Sequence, residues 1–341
     1  MGLKQVMDLF FLCSKKEGNN YLKKNVNLQI LRGIACLFVC INHFTFFNLK
    51  GIGQGGVELF IIMSGYLTIR NYYSHNKQLT KNYLQKKIIT IIPLYWILTV
   101  IVFMVGTFFP VLFNSLDLSI SNLIYSLFLI PNGESFIIYP GWTLTYFFLF
   151  YFIVWFCYKL KLKIGFELRV AICISLLTIS IYPYLDSILI MIEFLIGMLL
   201  YHFECKTNKY LNSKYTNVFK ISSIPFLLCL FLLPGSFFEK RYFIPSILAF
   251  CIIYIFNHLD KICEKLSLLK SIGDLSFTIY LIHPIIIRPI DKLCNMFLGA
   301  SPYVALLYVL PTLIIVCLIA YVTNNTMSKF SSYLVRIKKY N

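Results

Sequence analysis

Ten apolar runs recur along the chain, at about 28–47, 55–70, 88–110, 141–160, 168–184, 187–203, 218–234, 242–258, 275–290 and 301–323. A helix needs about 20 apolar residues to cross a bilayer. No water reaches the hydrocarbon, so each segment must satisfy its own backbone N–H and C=O groups. The expected fold is therefore all-α: a polytopic integral membrane protein of about ten transmembrane helices. With 59% hydrophobic and only 13% charged residues, the chain has more apolar surface than a soluble core buries. The shorter run Ser121 to Pro131 is expected to be re-entrant or interfacial.

Charge placement orients the bundle. Cytoplasmic loops retain Lys and Arg, and with both termini cytoplasmic the inner segments collect all but six of the 31. Lys50, Lys240, Arg241, Arg288 and Lys292 fall outside, and Arg32 falls within a span. The stretch Val105 to Gly141 carries no Lys or Arg, which is consistent with a wholly external segment. The chain then divides into a cytoplasmic or interfacial leader (1–27), a membrane domain (28–323) and a basic cytoplasmic tail (324–341).

The formal net charge of +17 follows from this orientation signal and from attraction to anionic membrane lipid. No nucleic-acid partner is needed to explain it. The eleven cysteines lie mostly within spans and form no CxxC pair. Cys36, Cys40 and His43 could share a helix face, but thiols in an apolar helix serve as small packing residues, so no metal is expected.

Within the first span, Arg32 and His43 lie eleven positions apart. That is about three helical turns, roughly 16 Å, so both side chains face one way. Ionisable groups at such depth are costly and mark function. The structural alternatives are a snorkelling arginine and a histidine bonded to a neighbouring helix. Glu58 begins the returning second span at nearly the depth of His43. A carboxylate beside an imidazole fixes its tautomer and stabilises the imidazolium, as a general base requires; the alternative is an interhelical hydrogen bond. Glu193, in the outer half of the 187–203 run, could bind a polar substrate or satisfy a helix interface.

Arg70, Lys77, Lys81, Lys86 and Lys87 crowd the loop before the third span. A basic mouth below an arginine-bearing helix suits a multiply phosphorylated donor, although orientation alone also places lysines there. Ser64, Gly65 and Tyr66 fit close helix packing or donor lining. His283 precedes Pro284, where a freed backbone carbonyl favours a structural hydrogen bond. His75, His202 and His258 are read as solvated.

The runs LRGIACLFVCINHF and GGVELFIIMSGYL, followed in order by KKIITIIPLYW, GWTLTYFFLFYF, EFLIGMLL and LSFTIYLIHPIII, resemble the acyltransferase-3 family of bacterial integral-membrane O-acyltransferases. The likeness covers most of Leu28 to Ile287. It implies transfer of an acyl group, usually acetyl from cytoplasmic acetyl-CoA or another acyl-CoA, to a hydroxyl of a surface glycan or its lipid-linked precursor, at the bacterial cytoplasmic membrane. Carried onto this chain, the family's arginine and histidine are Arg32 and His43, and the acidic partner is Glu58. Arg32, Lys86, Lys87, Ser64 and Tyr66 become donor-binding candidates, and Glu193 and Trp142 acceptor-binding candidates. The family's second basic residue near the third span is replaced by Thr90. Acidic residues that some members carry after Trp142 are replaced by Phe147 and Phe148, and Ile190 stands where an arginine is often seen.

Two rival classes share these features. A transporter or flippase also needs polar groups inside a bundle, but paired repeats with broken helices in both halves are not evident. An assembly or sensor protein for envelope glycans would use His43 as a pH switch, and would tolerate replacement of Arg32 and Glu58.

Overall fold

The computed structural model describes residues 25–44, 52–110, 116–131, 135–160, 162–182, 185–207, 216–239, 243–259, 266–298 and 302–340. Twelve α-helices and no strand occur among them. In chain order they are α1 (Val26–Asn42), α2 (Gly55–Ser74), α3 (Tyr83–Phe108), α4 (Ile120–Leu127), α5 (Gly141–Lys159) and α6 (Phe166–Ile181). There follow α7 (Ile190–Thr207), α8 (Thr216–Leu232), the single turn α9 (Ser236–Glu239), α10 (Phe243–His258), α11 (Ser267–Leu298) and α12 (Pro302–Tyr340). Each of the ten apolar runs holds one of the longer helices. By length and composition, α3, α5, α7 with the turn before it, and the 307–327 part of α12 suffice to cross a membrane. Apolar side chains such as Ile97, Ile101, Met104 and Phe108 on α3, and Leu307, Leu310, Ile314 and Leu318 on α12, face outward. Such uninterrupted apolar faces belong in lipid, and the chain is a multi-pass membrane protein.

The remaining run, Ser121 to Pro131, forms only α4. Eight residues rise about 12 Å, less than half a bilayer core, so α4 cannot cross. Ser119 caps its N-terminus by accepting from the Asn122 N–H at 3.2 Å, and α3 holds its other end. Tyr95 Oη donates to the Ser126 carbonyl at 2.9 Å, and Trp96 Nε1 donates to the Leu127 carbonyl at 2.8 Å.

At the centre, α1 packs along α11 and against α2 and α10, while α2 packs along α7. Both long contacts depend on glycine. A Cβ on Gly33 would strike the Leu269 carbonyl, and one on Gly273 the Gln29 carbonyl, so α1 and α11 touch backbone to backbone. Gly65 against Phe194, and Gly197 against Ile62, do the same for α2 and α7. Without a hydrophobic drive between helices in lipid, such close approach supplies the van der Waals contact that holds them. Asn27 Nδ2 donates to the Phe256 and Leu259 carbonyls at 3.1 and 2.8 Å, satisfying orphan acceptors at the C-terminal end of α10.

Several boundaries differ from the sequence reading. Helix α1 begins at Val26 and stops at Asn42, where the run was expected to continue to Phe47. His43 is its C-cap, with its N–H turned to the Cys40 and Ile41 carbonyls. Asn and His are weak helix formers, and the last turn tightens as such ends do. Helix α12 runs 39 residues, so the expected tail continues the last helix. His202 is not simply solvated: its Nε2 lies 3.2 Å from Glu167 Oε1. The Nδ1 atoms of His75 and His258 donate to the Asn71 and Tyr254 carbonyls, each at 2.8 Å. The leader up to residue 24, residues 45–47 of the first run, and Lys50, Lys240 and Arg241 lie outside the described residues.

Candidate functional site

At the C-terminal end of α1 a cavity of about 180 Å³ opens, with Val39, Asn42, His43, Gln54, Val57, Glu58, Tyr139, Pro140, Trp142, Phe238, Tyr280 and His283 on its walls. Two chemistry-bearing predictions, His43 and Glu58, meet here because α2 starts where α1 ends, which brings two residues fifteen apart to one depth. Glu58 is buried at 2% exposure. No hydrogen bond or ion pair joining it to His43 is found among the described residues. Trp142 reaches the same cavity from the first turn of α5, edge-on to Tyr139 and Tyr146 with centroids 6.4 and 6.5 Å away.

Sequence reading missed the far wall. The His43 ring lies 5.3 Å from Tyr139, edge-on, and 4.7 Å from His283, centroid to centroid. The Arg288 guanidinium sits 4.7 Å above the Tyr139 ring, a cation–π contact at the rim. Tyr280 Oη and Thr143 Oγ1 share a 2.5 Å hydrogen bond, joining α11 to α5 behind the cavity. The charge count places Arg288 outside, near the depth of His43, and that shared depth is the signal in the sequence for its presence here.

Arg32 lies deeper along α1, 2% exposed. Its guanidinium donates to Gln29 Oε1 at 2.8 Å and Ser276 Oγ at 2.7 Å, and Ser276 in turn donates to the Gly273 carbonyl at 2.8 Å. Burial on this scale removes the snorkelling alternative. Lys87 of α3 stands within electrostatic reach of Arg32, its Nζ 4.3 Å from the Tyr151 ring centre. Tyr151 shares a hydrogen bond with Ser64. Two cations and Ser64 thus cluster below the cavity, where an anionic group of a bound molecule would find them. A narrow apolar void of about 30 Å³, walled by Val57, Phe60, Leu144, Phe147, Ser276, Phe277 and Tyr280, shares Val57 and Tyr280 with the cavity above and Ser276 with Arg32.

Other candidates lie elsewhere. Lys86 is half-buried on α3, its carbonyl accepting from Thr90 Oγ1 at 2.7 Å. Thr90, where the family carries a cation, is itself buried. Tyr66 donates to Glu204 Oε2 at 2.5 Å, which ties α2 to α7. Glu193 is buried in the first turn of α7, outside the cavity wall. No cluster of His, Cys, Asp or Glu suited to a metal occurs among the described residues.

The chain is 26% identical over 267 residues to the exopolysaccharide production protein ExoZ of Rhizobium meliloti (strain 1021), covering 74% of this chain and 80% of that protein. No solved structure matches it. Residues 25–322 match the family Acyl_transf_3, described as an acyltransferase domain. That match spans α1, both cation positions, the cavity and most of α12, and the chain belongs to this acyltransferase family.

Proposed function

We propose that the protein transfers an acyl group, acetyl first among the candidates, from cytoplasmic acyl-CoA to a hydroxyl of a cell-surface polysaccharide or its lipid-linked precursor. The observation that carries this reading is the cavity that holds His43, Glu58 and Trp142 above the buried Arg32 and the half-buried Lys87. The similarity to an exopolysaccharide production protein supports a glycan acceptor. The bundle crosses a bacterial cytoplasmic membrane ten times with both termini inside, so the cavity faces outward and the cations lie inward. Acyl-CoA docks at the basic mouth, with Arg32, Lys87 and Lys86 toward its phosphates and Ser64 and Tyr66 beside the path. Its thioester reaches the cavity along α1, past the apolar void. There His43 acts as general base or acyl carrier, with the Glu58 carboxylate favouring its imidazolium. Trp142 offers a face for a sugar ring. Glu193 serves the α7 interface.

The test compares O-acyl esters of surface polysaccharide and envelope lipid, by mass spectrometry, in wild type and a deletion strain. Loss of one ester on deletion identifies acyl group and acceptor together. Unchanged esters, with no acetyl-CoA consumed by wild-type membranes, would overturn the reading in favour of transport or assembly.

A narrower result is expected at Lys87. In membranes supplied with labelled acetyl-CoA, Lys87→Met should raise the apparent KM for the donor about tenfold and leave acceptor saturation unchanged. That factor corresponds to one lost charge-assisted contact of about 1.5 kcal/mol. An unchanged donor KM would remove Lys87 from the docking path.

A further inference from the structure

The position of His283 before Pro284 predicts a structural hydrogen bond, and one of its ring nitrogens makes it. Its Nδ1 lies 3.1 Å from the Ile279 carbonyl. A carbonyl only accepts, so Nδ1 carries the proton, and in the neutral ring Nε2 keeps a lone pair. That second nitrogen is buried and makes no hydrogen bond among the described residues; the residue is 1% exposed and lies on the cavity wall with its ring 4.7 Å from that of His43. A buried polar atom without a partner is costly. The helix needs only Nδ1, and an apolar residue could occupy the rest of the ring's volume.

We propose that Nε2 of His283, in place of His43, is the catalytic base that takes the proton of the acceptor hydroxyl, and that His43 passes this proton on to the leaving group. This deepens the acyl-transfer reading and rests on it. The hydroxyl donates to Nε2 and gives up its proton as its oxygen forms the new bond to the acyl carbon. The C–S bond of the thioester breaks, and the departing thiolate receives that proton through His43, whose ring neighbours that of the base. An alcohol and a thioester become an ester and a thiol, with no change of oxidation state. The tautomer is fixed before substrate arrives, so no proton must be rearranged at the moment of reaction. The charged and titratable neighbours are His43 from α1, Glu58 from α2, Tyr139 ahead of α5, and Arg288 and Tyr280 of α11.

Asparagine separates the two functions of the ring. Its amide nitrogen occupies the δ position and can still donate to the Ile279 carbonyl, but nothing replaces Nε2. His283→Asn, expressed in the deletion strain at matched membrane level, is expected to lower the surface-polysaccharide ester at least about 100-fold, the usual worth of a positioned base. His283→Ala should behave alike, and added imidazole should restore part of its acetyl transfer from labelled acetyl-CoA in membranes. His283→Asn retaining half or more of wild-type ester while His43→Ala has none would overturn the proposal and leave a structural histidine. No ester difference between wild type and deletion would instead overturn the acyltransfer reading itself, and this proposal with it. If His283→Ala fails to accumulate, the asparagine variant alone decides.

Discussion

Gly273→Val is expected to prevent normal accumulation of the protein in the membrane, and any recovered fraction should unfold at a markedly lower temperature in detergent. A side chain at this position meets the Gln29 carbonyl and the Gly33 backbone nitrogen. Neither is a flexible side-chain tip that can swing away. The two helices must separate, and their contact is the longest in the bundle's centre. Overpacking a tight core usually costs about 1–3 kcal/mol. Here the displacement also pulls Ser276, three residues along α11, away from the Arg32 guanidinium it accepts from. A buried cation that loses a partner adds a further penalty of the same order. Gly165→Ala is the matched control, because a Cβ there meets nothing within 4 Å, and it should accumulate and melt as the wild type does. Equal accumulation and melting of Gly273→Val would show that the α1–α11 contact is not the limiting one.

The same crossing shows what the sequence made legible. Hydropathy locates lipid-facing length, so the ten apolar runs each contain a helix. It does not locate helix ends. Helix α11 continues past residue 290 through Asp291 and Lys292, because Tyr308 of α12 donates to Asp291 Oδ1 at 2.7 Å and satisfies a carboxylate that a hydropathy count treats as a boundary. Adjacent antiparallel helices leave little freedom in how deep each residue lies, so the common depth of His43 and Glu58 is legible in the sequence. Depth alone does not bring His283 or Tyr139 to them, since these reach the cavity from α11 and from the loop before α5. Their approach depends on which helices are neighbours. That is set by glycine contacts such as Gly33 with Gly273, and one sequence does not pair them. Glu193 shares that outer depth, yet it is not among the residues on the cavity wall, because α7 packs along α2 and depth alone does not fix which way a helix faces.

His43→Ala should remove the surface ester almost completely, at least about 100-fold, without loss of folded protein. The two halves of this expectation have separate grounds. His43 caps α1 through its backbone N–H, which alanine retains, and its ring is only partly buried, so little packing is lost. In the proposed reaction the ring passes the proton from His283 to the leaving group, and alanine offers no proton acceptor there. Glu58→Gln keeps the shape of the second wall residue and removes its charge. If the carboxylate acts through the imidazolium of His43, Glu58→Gln alone should lower the rate about 10-fold to 100-fold, whereas in the His43→Ala background it should lower nothing further. Residues acting as one unit are non-additive in this way. Ester content and initial rates of labelled acetyl transfer in membranes, measured for both single variants and the double variant, complete the cycle. A double variant worse than His43→Ala by the full Glu58→Gln factor would place Glu58 on an independent task, such as holding the acceptor, and would break the pairing inferred from their common depth.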